Sequence, residues 1–297
     1  MTGFNAGSTL AASAALLRDF SIEVMPRTAD RIADFGEILS PGTRIYIAHI
    51  EGTPFADMLR TAKRLSGAGY RVIPHFTARA IHDRGELEAM IKRYRDEADV
   101  HRALVLAGGM ERPVGQFDSS MRLLRTGLFD AAGFTELHVA GHPEGNRDID
   151  PGGGFARTDH ALREKQEYSE NSDASMALVT QFAFDAAPVT AWAERISAAG
   201  ITLPIHVGIA GPAKLQTLIK FALACGVGSS LRVLQRRASD LSKLLVPFEP
   251  TGIVHGLAET KAKLPDSRIS NLHVFPLGGI AVAAKWIRDH PAYRPPD

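Results

Sequence analysis

Short apolar runs recur along this chain, and stretches with helical spacing separate them. The runs that read as strands are Ser21–Thr28, Arg44–His49, Tyr70–Phe76, Ala103–Ala107, Glu136–Gly141, Met176–Phe182, Leu203–Ile209 and Asn271–Leu277. Most begin about 25 to 40 residues after the one before, the length of a strand–helix unit. The seventh interval is longer and holds extra helices. Ala103–Ala107 is wholly apolar, as expected of a strand buried on both faces of a parallel sheet.

Between the strands, apolar residues return at offsets of three and four, the mark of one helical face. Ile32, Phe35, Ile38 and Leu39 place a helix over Thr28–Leu39, and Leu87, Met90, Ile91 and Tyr94 place one over Glu86–Ala98. Thr53–Leu65, Ser119–Asp130, Val189–Ala199, Ala213–Cys225, Ser229–Asp240, Thr251–Lys263 and Ile280–Arg288 read the same way, and Thr158–Tyr168 reads as a charged, exposed helix. The simplest closed arrangement is an α/β fold, a single (β/α)8 barrel with extra helices before the last strand. An open doubly wound sheet would want Gly-x-Gly-x-x-Gly after an early strand, and none stands there. The expected division is an N-terminal arm or frayed helix over residues 1–20 and a barrel over residues 21–297.

At 297 residues the chain is long enough for a large core, and its net charge of +1 offers no basic excess to attract nucleic acid. One cysteine, Cys225, precludes an intrachain disulfide and reads as a buried residue at a helix end. No apolar run is long enough to span a bilayer, and the N-terminus lacks the basic region of a signal peptide. The expectation is a soluble cytoplasmic protein acting on a small molecule, with no nucleic-acid or membrane partner and an oligomeric state that the sequence leaves open.

Active sites of such barrels lie at the C-terminal strand ends. That rule gathers Glu23, His49, Glu51, His75, Arg79, Gly108, Gly109, His142, Glu144, Asn146 and Gln181. Glu23 is a carboxylate among Ile22, Val24 and Met25. Buried without a partner it would cost several kcal/mol or keep its proton, which suits a general acid. The competing reading is a Glu on the wet side of an edge strand, or one paired with an arginine. His49, His75 and His142 end three strands, but none of them has a chelating spacing, so no metal is assigned. Gln181 can pair with a heterocycle edge or with neighbouring backbone. Gly108-Gly109 admits a close ligand or simply makes a turn. The His142–Asp150 segment is either a self-paired surface loop or a ligand-contacting one. Gly152-Gly153-Gly154 reads as a flexible loop, and Gly278-Gly279 as the start of the last helix.

Several stretches together resemble the methylenetetrahydrofolate reductase family: Ser21–Pro26 with its Glu, Pro74-His75-Phe76-Thr77, Pro143-Glu144, and Thr180-Gln181-Phe182-Ala183-Phe184-Asp185. Pro204–Gly211, Phe221-Ala222 and Phe275-Pro276-Leu277 follow in order. The resemblance runs from Ser21 to Leu277 and implies an eight-stranded barrel. It also implies a hydride transfer that interconverts 5,10-methylene- and 5-methyltetrahydrofolate with NADH or NADPH, usually through bound FAD. Glu23 matches the family's general acid, which donates a proton as the methylene bridge opens to an iminium. Gln181, Gln235, Gly109 and Leu277 fall at folate-binding positions, and His49, His75, Gly108, His142, Glu144 and Asn146 at cofactor-binding ones.

The sequence also departs from the family. Ala107-Gly108-Gly109 stands where the family has Arg-Gly-Asp, Ala48-His49 where a Thr-Tyr pair is usual, His142 for a tyrosine and Asn146 for a histidine. Glu167–Asp173 lacks the Lys or Arg residues that meet the flavin phosphates. Each lost charged hydrogen bond removes roughly 1.5–3 kcal/mol, which argues against tight FAD binding. The barrel then either passes hydride directly from nicotinamide to folate or holds FAD by other contacts. Two alternatives keep the folate without the redox step: a tetrahydrofolate-dependent methyltransferase or demethylase, and a folate-binding barrel.

Overall fold

The computed structural model describes residues 6–224, 234 and 247–295. Its strands are β1 (Ser21–Val24), β2 (Arg44–Ile47), β3 (Arg71–Thr77), β4 (Arg102–Leu106), β5 (Glu136–Gly141), β6 (Ser175–Ala183), β7 (Ile205–Ala210) and β8 (Ile269–Phe275). They close in sequence order into a barrel, with β2–β3, β3–β4, β4–β5 and β7–β8 paired in parallel. This is the (β/α)8 barrel that the strand spacing predicts. The helices are α1 (Ala6–Arg18), α2 (Pro26–Ala29), α3 (Phe55–Gly67), α4 (Arg84–Ala98), α5 (Ser120–Leu124), α6 (Leu128–Ala131), α7 (Ala156–Ser169), α8 (Ala186–Ala198), α9 (Leu215–Ala224), α10 (Thr251–Lys263) and α11 (Ile280–Asp289). No helix among the described residues is long and apolar enough to cross a membrane.

Internal contacts group the chain into two compact units. The first contains Ile22–Ala140 and Arg163–Leu178. Within it, β3 shows how a strand serves two faces. Phe76 packs edge-on against Phe129 of α6 with ring centroids 5.1 Å apart, and lies 5.4 Å from Tyr94 of α4. Phe76 therefore faces the helical layer. Successive side chains alternate, so His75 and Thr77 face the barrel interior, in register with Leu104 and Leu106 of β4. α4 begins where the Asp83 carboxylate accepts the Glu86 N–H at 2.9 Å. Its buried face is Leu87, Ile91, Tyr94 and Ala98.

The second unit contains Met1–Ser21, Gly141–Leu162 and Val179–Asp297. There α1 packs on α10 and β8, with Leu16 and Leu17 fully buried. Phe182, Phe184, Phe248 and Phe275 form an edge-to-face cluster. Gly208 is required on β7: a Cβ there would lie 2.4 Å from the Thr180 carbonyl oxygen. Its N–H donates to Thr180 Oγ1 at 2.8 Å.

Three helical expectations need correction. The helix expected over Thr28–Leu39 is only α2 followed by a 3-10 turn at Phe35–Glu37. Arg64 donates to the Ala29, Ile32 and Ala33 carbonyls, and Asp34 accepts from the Gly36 N–H, so this backbone is satisfied outside a continuous helix. The helix expected over Ser119–Asp130 breaks into α5 and α6 at Gly127, whose φ is 71°. α7, expected to be an exposed charged helix, buries Leu162 and Lys165. The expected helix Ser229–Asp240, Cys225 and Gln235 lie outside the described residues.

Phe76 holds the helical layer on β3, so Phe76→Ala should destabilise the fold by about 3–5 kcal/mol. Urea unfolding checks this, and a loss under about 1 kcal/mol would refute the packing role.

Candidate functional site

Within the first unit, polar side chains from separate strands meet on the interior face. Glu23 stands one residue before the end of β1, and the Val24 carbonyl accepts the Ala48 N–H at 2.8 Å, tying this end to the chain beyond β2. His75 Nε2 lies 3.3 Å from Glu23 Oε2, with only 9% and 18% of the two side chains exposed. Glu23 is thus not on a wet edge, and an imidazole stands against it at this contact.

Below the pair, Tyr46 of β2 meets His138 of β5, with Oη 2.5 Å from Nδ1 and the rings stacked at 5.8 Å. Tyr46 also packs edge-on to His75 at 6.5 Å. His138 Nε2 is 3.7 Å from Glu136, which Arg102 holds at 2.8 Å. The sequence reading missed Tyr46 and His138. The available signal was their period-two placement on strands whose other face is apolar.

The same unit holds a cavity of about 260 Å³, lined by His49, Thr77, Arg79, Gly108, Gly109 and Met110, with Glu51 at its wall. His49 Nδ1 lies 2.9 Å from Thr77 Oγ1. Burial, and then the charge of His75, push the His49 imidazole below its ordinary value, against a backbone hydrogen bond at Thr53. Gly108 sits at φ 90°, and a Cβ there would lie 3.1 Å from that of Thr77, so glycine is what lets this wall close. The Arg79 guanidinium donates to the Met110 and Asp118 carbonyls at 2.8 and 3.2 Å.

Lys165 of α7 is a third residue missed from sequence, since it lay in the helix read as exposed. Its Nζ donates to the Ala140 carbonyl near the end of β5 at 2.7 Å. Burial pushes its ammonium down to about 8, against the pull of Glu164.

The other expected residues lie in the second unit. Gln181 is partly buried near the end of β6. Gly208 presses against its peptide: a Cβ would lie 2.6 Å from the Gln181 carbonyl oxygen. His142 and Glu144 are partly buried after β5. Asn146 Oδ1 accepts from the Asp148 and Ile149 N–H groups at 2.9 and 3.3 Å, so this oxygen shapes its own loop. Asp150 accepts from the Arg157 and Thr158 N–H groups at the start of α7, which hold its carboxyl below the usual range. Leu277 packs on the phenylalanine cluster. Among the described residues, no three His, Cys, Asp or Glu side chains gather around a metal position.

Fold and interior together define a (β/α)8 barrel with an acid–imidazole pair at a strand end. No family model matches the chain. A solved structure of similar fold is an uncharacterised protein from Clostridium thermocellum that binds two copies of 5-methyl-5,6,7,8-tetrahydrofolic acid. The likeness has a TM-score of 0.58 at 11% identity, over 92% of this chain and 94% of that one.

Lys165 supplies a pH test. Below about pH 8 the lysine is charged in both folded and unfolded chains, and the burial cost is carried in full. Between pH 8 and its ordinary 10.5 the unfolded chain keeps a proton that the folded one has released, so stability rises with pH, by on the order of 3 kcal/mol in all. Lys165→Met should therefore compare best with the parent at pH 7 and lose that advantage toward pH 10.5. Paired urea titrations check this; a pH-independent difference would count against a buried, titrating Lys165.

Proposed function

We propose that this chain is a cytoplasmic folate oxidoreductase, interconverting 5,10-methylene- and 5-methyltetrahydrofolate with NADH or NADPH. The observation that carries the reading is Glu23, held at the end of β1 against His75 and largely shielded from water. The ordered motifs from Ser21 to Leu277 support it, as does the folate ligand of the Clostridium thermocellum barrel.

The chemistry needs an acid at one atom. Opening the five-membered ring of methylenetetrahydrofolate breaks the bond from the bridging carbon to N10, and the bond pair stays on N10. Glu23 protonates N10, leaving an iminium between N5 and the carbon. A bound dihydronicotinamide would supply the hydride that this carbon takes up, giving 5-methyltetrahydrofolate and the oxidised nicotinamide. One hydride and one proton are consumed. Gln181 is suited to bind the pterin edge, with amide donor and acceptor both available in type. The resemblance gives Gln235 and Leu277 folate-contacting roles as well.

The residues do not fit a flavin diphosphate well. Arg79 commits N–H groups to two backbone carbonyls, and Lys165 is committed to Ala140. The cavity of about 260 Å³ lies below the usual range for a ligand site, about 300–1,000 Å³, and suits one ring system rather than a dinucleotide. These features support hydride passing directly between nicotinamide and folate.

Glu23→Gln should lower kcat at least about 100-fold while folate affinity is kept. The measurement is anaerobic oxidation of NADH or NADPH by methylenetetrahydrofolate, with quantified 5-methyltetrahydrofolate. Near-parent turnover in the variant would remove Glu23 from this role. Methyl transfer to tetrahydrofolate without any nicotinamide would replace the redox reading with a methyltransferase or demethylase. Folate binding with neither activity would leave a binding barrel.

A further inference from the structure

We propose that Glu23 and His75 hold one proton between them, and that His75 is the positioning residue that keeps Glu23 charged with the proton it delivers. The catalytic consequence rests on the folate reading above; the pair itself rests on geometry.

Nε2 and Oε2 are 3.3 Å apart, an ion-pair separation, and Nε2 makes no aligned hydrogen bond within the described residues. Such contacts commonly tighten when substrate displaces water. Counting protons shows why the pair favours one. With none, a carboxylate is shielded beside a neutral ring. With two, an imidazolium lies beside a neutral acid. One proton leaves no net charge to desolvate. When that proton is on Oε2, the ring accepts at Nε2 and keeps its own hydrogen on Nδ1. When it crosses, Nε2–H donates to the carboxylate.

The surrounding elements restrain the ring rather than replace it. From β2, Tyr46 lies edge-on to His75, and its hydroxyl is taken by His138 of β5. His138 in turn lies 3.7 Å from Glu136, whose charge Arg102 and Arg44 offset. Beyond β2, His49 is the neighbouring titratable ring, and it is held by Thr77. From β4, the register partner of His75 is the apolar Leu104.

Two measurements test the pair, one needing no folate. Nitrogen-15 NMR of histidine-labelled protein follows His75 with pH in the parent and in Glu23→Gln. The expected result is a downward shift of the His75 midpoint by at least about one pH unit in the variant, as for a ring that loses a carboxylate partner. An unchanged midpoint overturns the proposal whatever the turnover. The second measurement is the pH profile of kcat/KM for His75→Gln and His75→Phe, each confirmed folded by circular dichroism. The alkaline limb should move to lower pH by about one unit, with kcat falling more than KM rises. A limb that stays in place in the folded variants also overturns the proposal. If the NMR coupling is present but methylenetetrahydrofolate is never reduced, the pair stands and the folate reading falls.

Discussion

His75 and Phe76 are neighbours in the chain and face opposite ways, because a strand's side chains alternate with a period of two. In a closed parallel barrel both faces are buried, so each strand must satisfy two different interiors. Phe76 meets the aromatic rings of the helical layer, and its burial fixes the rotation of β3. His75 and Thr77 then have no other place than the barrel interior. Moving the register by one residue would exchange the two faces and place an imidazole among phenylalanines.

That constraint concentrates polar chemistry where water is scarce. Glu23, Tyr46, His75 and His138 come from β1, β2, β3 and β5. Buried polar groups need partners, and two of the contacts made here are Glu23 with His75 and Tyr46 with His138. A carboxyl facing an imidazole is a different chemical object from either alone, since a proton can cross between them at little change in net charge. The small residues beside them matter for the same reason. Gly108 lets the wall of the neighbouring cavity close on Thr77, and Thr77 holds His49.

Strands were easier to read than helices. An apolar run such as Ala103–Ala107 carries its own signal, because burial on both faces demands it. Helical spacing alone does not say whether a helix continues. Ile32, Phe35, Ile38 and Leu39 keep helical offsets, yet Arg64, far along the chain, takes the carbonyls that a helix would use. α7 misled in another way: its many charges read as exposure, while Lys165 turns inward to the end of β5. A side chain's direction depends on what its helix packs against, and composition does not carry that information.

Glu23 shows the division most plainly. By itself the sequence established that a carboxylate sits in an apolar strand, and that strands and helices alternate enough times to close a barrel. Both follow from local pattern, which burial and backbone geometry impose over a few residues. The tertiary structure alone decided that His75 stands against Glu23, 3.3 Å away. That pairing depends on how β1 and β3 are set within the closed barrel, and neither segment specifies it without the other.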